Sequence, residues 1–417
     1  MTSDQLAVLL FDLALVFAAA HLLGALARRL DQPPVIGEII AGILMGPTLL
    51  DGAVGDLLFP QEIRPYLTAL ADVGVVLFMF TVGFELDHRL LRGMRRAVAT
   101  VSIGSVVPTF GLGVLLAWYL TSGEPAGDRT ASLLFLGVAM SVTALPVLAR
   151  ILHDRGMTRT PVAALALSSA AVTDAFAWLA LAALTMLASH HDQWRLLLLP
   201  ALLALLLALR PLARRLMAHA ERTGGSVRGV LVLVIPGLLL SAACTEWMGL
   251  HFILGAFLFG LLLPKDGLPQ IRAEVEDTVH KMGTSLLLPL FFVTAGLKVD
   301  LSRIGLDGLG HFALIMLVAM GGKFGGVFLA ARTSGLRGSE SATLAVLLNT
   351  RGLTELVMLS AGLSLGLLGQ DLYSLMVLMA VLTTAMTGPL LRLVSSRPPA
   401  APEPALAGAG AEPPPHP

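Results

Sequence analysis

The sequence predicts an all-α membrane protein with about thirteen spanning helices, because apolar runs of roughly 20 residues recur along almost its whole length. Two further observations agree. Only 13% of the residues are charged, half the ~25% of soluble domains. The basic residues that remain alternate between rich and poor loops. A formal net charge of zero gives no nucleic-acid signal. Cys244 is the only cysteine, so neither an intrachain disulfide nor a cysteine zinc site can form.

In order, the apolar segments are 6–27, 33–50, 65–84, 97–120, 130–149, 161–188, 195–217, 229–245, 247–264, 282–297, 308–331, 341–366 and 371–394. The first has no basic residue before it and ends in Arg28-Arg29 without a small-residue cleavage site, so it reads as a membrane helix and not a leader. Assigning alternate loops to the two sides tests the segment count. One set, from Arg28 and Arg29 to Arg392 and Arg397, holds 21 basic residues; the other holds 5, namely Arg64, Arg129, Arg195, Lys298 and Arg303. The positive-inside rule then puts the N-terminus outside and the C-terminus in the cytoplasm of a bacterial inner membrane. One membrane domain, 1–397, is expected, followed by a disordered Pro/Ala-rich tail at 398–417 that cannot bury a core.

Few ionisable residues lie deep in these segments, and each costs about 2.5–3.5 kcal/mol at a helix centre. The sixth segment has a single charge, Asp174, fourteenth of its 28 residues. The eleventh has Lys323, and the twelfth has Arg351 and Glu355. Opposite signs on different helices suggest that Asp174 and Lys323 meet inside the bundle. Ala170, Ala171 and Ala177 give Asp174 a small-residue face that another helix or a water-filled crevice can approach. Intramembrane carboxylates are functional by default, and a purely structural Asp–Lys pair is the competing reading.

Arg351 and Glu355 are four apart and would pair on a continuous helix. That internal salt bridge and a direct ion-binding role are both open. Asn349, Thr350 and Gly352 beside them suggest irregular backbone, tolerated at this depth only when buried in protein or lining a cavity. In the fifth segment, Pro146 follows Ser141-Val-Thr143-Ala-Leu and frees carbonyls near Val142 and Thr143, which are good ligands for hard cations. Taken alone, the proline reads as a simple kink. Asp12, Glu38 and Asp72 lie nearer helix ends, within reach of water. The run Gly321-Gly322-Lys323-Phe-Gly325-Gly326 resembles a phosphate loop only in composition, since no strand precedes it.

Several stretches, in order, carry a resemblance: PPVIGEIIAGILMGP (33–47), FMFTVGFELD (78–87), SVTALPVLARIL (141–152), ALSSAAVTDAFAWLALA (166–182), LHFILGAFLFGLLLP (250–264), LLPLFFVTAGLKVDL (287–301), GGKFGGVFLAAR (321–332) and NTRGLTELVMLSAGL (349–363). The chain resembles the monovalent cation:proton antiporter-2 branch of the sodium/hydrogen exchanger superfamily. The resemblance implies thirteen helices in inverted repeats, a dimerisation domain, a mobile core, and two broken helices crossing at mid-membrane, here 130–149 and 341–366. It implies a homodimer and elevator-like alternating access. It aligns the ion-site aspartate with Asp174 and the core lysine with Lys323. Thr173, Thr143 and Ser141 would complete a site for a proton or a monovalent cation, Na⁺ or K⁺, with no cofactor. Pro146, Asn349, Thr350 and Gly352 would mark the helix breaks.

One departure is informative. Family members commonly carry Asp-Asp or Asn-Asp where this chain has Thr173-Asp174. Threonine does not ionise in the useful range. A single carboxylate there predicts electroneutral exchange of one proton per cation. Kef-type members add a cytoplasmic nucleotide-binding domain, and the short tail here makes that gating unexpected. A proton-coupled transporter of an organic cation or metabolite on the same scaffold is the alternative; it would need an aromatic-lined pocket, and only Phe176 and Trp178 lie close to Asp174 in sequence. An enzyme is not expected, because no His/Glu metal motif or nucleophile–base constellation is found.

Overall fold

The computed structural model describes residues 2–49, 52–85, 94–121, 129–158, 160–188, 195, 198–223, 227–264, 269–283, 287–302 and 304–394. The regular structure of these residues is helical. α1 (Ser3–Arg29), α2 (Pro34–Met45), a short α3 (Ala53–Leu58), α4 (Arg64–Glu85), α5 (Arg95–Leu120), α6 (Arg129–Ser141) and α7 (Leu145–Asp154) lead to α8 (Pro161–Ala188). Next come α9 (Leu199–Thr223), α10 (Val227–Trp247), α11 (Phe252–Leu262), α12 (Pro269–Met282), α13 (Leu288–Leu297) and α14 (Leu306–Thr333). α15 (Gly338–Leu348), α16 (Leu353–Ser364) and α17 (Gln370–Val394) complete the order. The tail expected at 398–417 lies outside the described residues.

Each apolar segment of the sequence falls on one of these helices, and the fifth and twelfth each fall on two. Among the described residues, eight helices are long and apolar enough to cross a membrane, α6 and α7 being taken together. The α15–α16 pair, bent by 41°, brings the number to nine. α2, α11 and α13 are apolar but have 12, 11 and 10 residues, short of the ~17 or more that a straight span needs. α12 lies outside the apolar segments. It buries Ile271, Val275 and Val279, one side chain per turn, against α4, α9 and α10. Its amphipathic period, not its mean apolarity, makes it a helix.

α5 and α14 pack with their backbones nearly touching: a Cβ added at Gly326 would lie 2.1 Å from the carbonyl oxygen of Gly104. Small residues permit this approach between apolar helices. α14 runs unbroken through Gly321–Gly326, and Gly322 and Gly326 on one of its faces form the packing seam against α5. The same seam carries Lys323 inward against α5 and α6.

Candidate functional site

α6 ends at Ser141 and α7 begins at Leu145, leaving Val142, Thr143 and Ala144 outside any helix. Pro146 sits in the first turn of α7, where its missing N–H has no helical partner to lose. It therefore opens a new helix instead of kinking a continuous one, which corrects the simple-kink reading. The second break, Asn349–Gly352, separates α15 from α16. At Gly352 a side chain would not fit, since a Cβ there would lie 2.7 Å from Cγ2 of Val147 on α7.

Each break supplies what the other lacks. The Ala144 amide donates to the Thr350 carbonyl at 3.0 Å. The Thr143 hydroxyl donates to the Leu348 carbonyl at 2.9 Å. Buried main-chain groups released from helices thus find partners across the two breaks, as they must away from water.

The carbonyls at the end of α6 are met by cations. Lys323 Nζ donates to the Ser141 carbonyl at 2.6 Å and to the Ser105 and Thr143 hydroxyls at 2.7 Å each. Arg351 donates to the Met140 carbonyl at 2.7 Å and, at 3.5 Å, to that of Ala139. A helix C-terminus carries partial negative charge, so cations there are stabilising. Arg351 also donates to Glu355 at 2.7 Å, and both side chains are 0% exposed. The pair expected from the sequence is present, but not on one continuous helix: Arg351 lies in the break, and Glu355 lies in the first turn of α16. The main chain of Arg351 is gripped from α17, where the Thr384 hydroxyl accepts from its amide at 3.1 Å and donates to its carbonyl at 2.6 Å.

Asp174 is buried on α8, with 1% of its surface exposed. The Thr354 hydroxyl donates to its Oδ2 at 3.4 Å, and the Leu145 amide also faces the carboxylate. These two groups stand at the N-terminal ends of α16 and α7. Helix N-termini attract negative charge. The anion thus faces two positive helix ends, while Lys323 and Arg351 sit at a negative one. Oδ1 has no hydrogen-bond partner among the described residues, which leaves it open to a proton or a cation.

Asp174 and Lys323 do not form the expected contact pair. The three bonds of Lys323 Nζ are used on Ser105, Ser141 and Thr143, and no ion pair between the two is found among the described residues. They interact only through the field of the core. The Thr173 hydroxyl donates to the Ala170 carbonyl within α8, and that of Ser141 to Val138 within α6. Thr350 likewise donates to Leu347, and the buried Asn349 amide has no partner among the described residues. Asp12 is fully buried with both carboxylate oxygens unpartnered, so it is not within reach of water as its place in α1 suggests. Ser105, Leu145, Thr354 and Thr384 were not singled out from the sequence.

A cavity of about 580 Å³ extends toward the site. Its lining runs from Arg28, Pro33, Arg150 and His280, near helix ends, to Pro146 and Leu353. Each of those last two is the chain neighbour of a group that faces Asp174. Among the described residues no three His, Cys, Asp or Glu side chains gather as a metal site.

An all-helical, multi-spanning membrane protein with a buried carboxylate between two helix breaks is the architecture of an ion-coupled transporter. The sodium/hydrogen exchanger transmembrane family model matches residues 16–395, and the chain belongs to that family. It is 35% identical to the Na⁺/H⁺ antiporter NhaS4 of Synechocystis, over 94% of this chain and 98% of that protein. Cation/H⁺ antiporter 20 of Arabidopsis thaliana is 33% identical over 93% of this chain, which spans 48% of that longer protein. In fold the chain is similar to the sodium proton antiporter MjNhaP1 of Methanocaldococcus jannaschii. The TM-score is 0.67 at 16% identity, over 94% of this chain and 97% of the other.

Proposed function

We propose that this chain is a monovalent cation:proton antiporter in which Asp174 holds a proton and a Na⁺ or K⁺ ion in turn. The observation that carries the reading is the Asp174 carboxylate, buried between the N-termini of α7 and α16 with Oδ1 unclaimed. A cation there replaces water with the carboxylate and the nearby Thr354 hydroxyl oxygen. A proton on the same group removes the charge that holds the cation. Competition for one group couples the two flows. Of the two aromatics close to Asp174 in sequence, Phe176 is half exposed and only Trp178 is buried, so the two do not make an aromatic cage, which favours an ion over an organic substrate.

Thr173 cannot ionise, so one carboxylate gives one proton per cation and no net charge movement. Counting α2, α9, α11 and α13 as spans gives thirteen, with the N-terminus outside and the cavity open to the cytoplasm of a bacterial inner membrane. A homodimer with an elevator-like core fits the family and the tied breaks, which would travel as one body. The test is flux in proteoliposomes with Na⁺, K⁺ and Li⁺ at several pH values, for the wild type and Asp174→Asn. Cation-driven proton movement is expected to vanish in the variant; its persistence refutes the role of Asp174. Strong voltage dependence at zero ion gradient refutes electroneutral exchange.

A further inference from the structure

Two arginines and one carboxylate are the charged side chains that line the cavity, with two histidines beside them. His21 and Arg28 come from α1, Arg150 from α7, and His280 from α12. Against these stands one carboxylate, Glu38 of α2. α13, packed beside α2, contributes Leu288, Pro289 and Phe292 to the wall and no titratable group. A cation moving toward Asp174 must therefore pass a basic mouth, whose positive potential lowers its local concentration.

Glu38 is held in the cavity by the packing of α2 on α1. A Cβ added at Gly37 would lie 2.1 Å from the Leu23 carbonyl oxygen, so the two backbones touch there. Glu38, the next residue, lies along the α1 surface with Oε1 near Gly24. Its surroundings leave the carboxylate unclaimed. Among the described residues it forms no ion pair within 4.0 Å. Its basic neighbours have other bonds: Arg150 lies 3.7 Å from Asp154, and His21 Nδ1 is 2.8 Å from the Phe17 carbonyl. A counter-charge meant only to neutralise the mouth would be expected in contact with one of them.

We propose that Glu38 is a second cation-binding carboxylate, a staging site that takes a monovalent cation from water in the cavity mouth before it passes to Asp174. The inference rests on the antiporter reading above and adds a ligand to its entry route. The chemistry is that of a partly hydrated alkali ion, held by one carboxylate that still reaches water. Charged side chains at a pore mouth raise the local concentration of the opposite charge in this way.

The experiment uses everted membrane vesicles, which present the cytoplasmic face to added NaCl or KCl, and reads kcat and KM for exchange. Glu38→Gln is expected to raise KM about tenfold with little change in kcat. Glu38→Asp restores most of the affinity. Arg150→Gln lowers KM, because it removes an opposing charge. In the double variant Glu38→Gln/Arg150→Gln, KM stays within about threefold of Glu38→Gln alone if the carboxylate binds the ion directly. Return of the double variant to the wild-type KM overturns direct binding, since charge balance then accounts for the whole effect. An unchanged KM in a folded Glu38→Gln variant, confirmed by size exclusion and thermal unfolding, overturns the proposal. Asp174→Asn, run in parallel, separates the two readings: exchange lost there with KM unmoved in Glu38→Gln removes only the staging site, whereas exchange retained there removes the antiport mechanism.

Discussion

The Thr143 hydroxyl donates to the Leu348 carbonyl at 2.9 Å, joining the break in one membrane segment to the break in another 205 residues away. The same oxygen accepts from Lys323 at 2.7 Å. One hydroxyl thus serves a freed carbonyl and a buried cation together. Thr143→Val keeps the shape and removes both bonds. It should lower stability by about 2–4 kcal/mol, because two buried polar partners are left unsatisfied. Thermal unfolding in detergent measures this, and an unchanged midpoint would show that the tie is not structural.

Lys323 should couple only weakly to Asp174, through the field of the core and not through contact. A buried contact pair loses about 3–5 kcal/mol when one partner is removed, with strong coupling between the two. Here Lys323 is spent on Ser105, Ser141 and Thr143. A double-mutant cycle of Lys323→Met and Asp174→Asn on stability should give a coupling below about 1 kcal/mol. Each change alone is still expected to have its own effect, that of Lys323→Met being the larger because it strips the Ser141 carbonyl of its cation.

Replacing both Arg351 and Glu355 should not be neutral. Apolar replacement of a buried ion pair is often tolerated or stabilising. Arg351 also caps the carbonyls of Met140 and Ala139, so Arg351→Met/Glu355→Leu strips two carbonyls at the end of α6 of their cation, leaving Lys323 on Ser141 alone. A loss of about 2 kcal/mol or more relative to the wild type is expected for the double variant. Equal stability would mean that water takes over the capping.

Competition for one carboxylate fixes the sign of the pH dependence. Lowering the pH adds protons to Asp174 and displaces the cation, so the apparent KM for the cation should rise as the pH falls. The limit for a single shared group is about tenfold per pH unit. Initial rates of exchange at fixed voltage, taken from pH 6 to pH 9, would show it. A change approaching a hundredfold per pH unit would point to a second exchanging proton.

The parts of this site that were legible in the sequence are the costly ones. Asp174, Lys323, Arg351 and Glu355 stand out because a charge in an apolar run demands a reason. The break at Asn349–Gly352 was visible in its residues, whereas Pro146 taken alone read as a kink and became a break only through the family resemblance. The hydroxyl partners were not, because serine and threonine can satisfy themselves on their own helix. Thr383 and Thr384 are adjacent on α17; the first donates to Met379 one turn back, whereas the second grips the main chain of Arg351. Nothing local in the sequence separates the two. The pairing of Asp174 with Lys323 was misjudged for a related reason: charge sign predicts attraction, while geometry decides which oxygens reach the ammonium first. α12 escaped notice because it is marked by period and not by apolarity.

The bonds that tie the two breaks have a lopsided chemistry. Apart from the Ala144 amide, their donors are particular side chains, those of Thr143, Lys323 and Arg351, whereas most of their acceptors are main-chain carbonyls belonging to Ala139, Met140, Ser141, Leu348 and Thr350. A carbonyl survives any change of the side chain beside it. The two strings of residues therefore age differently under mutation: the acceptor positions can drift through any side chain that packs, while each donor position admits almost no replacement. In a library of random variants selected for transport, tolerance should follow that division, position by position.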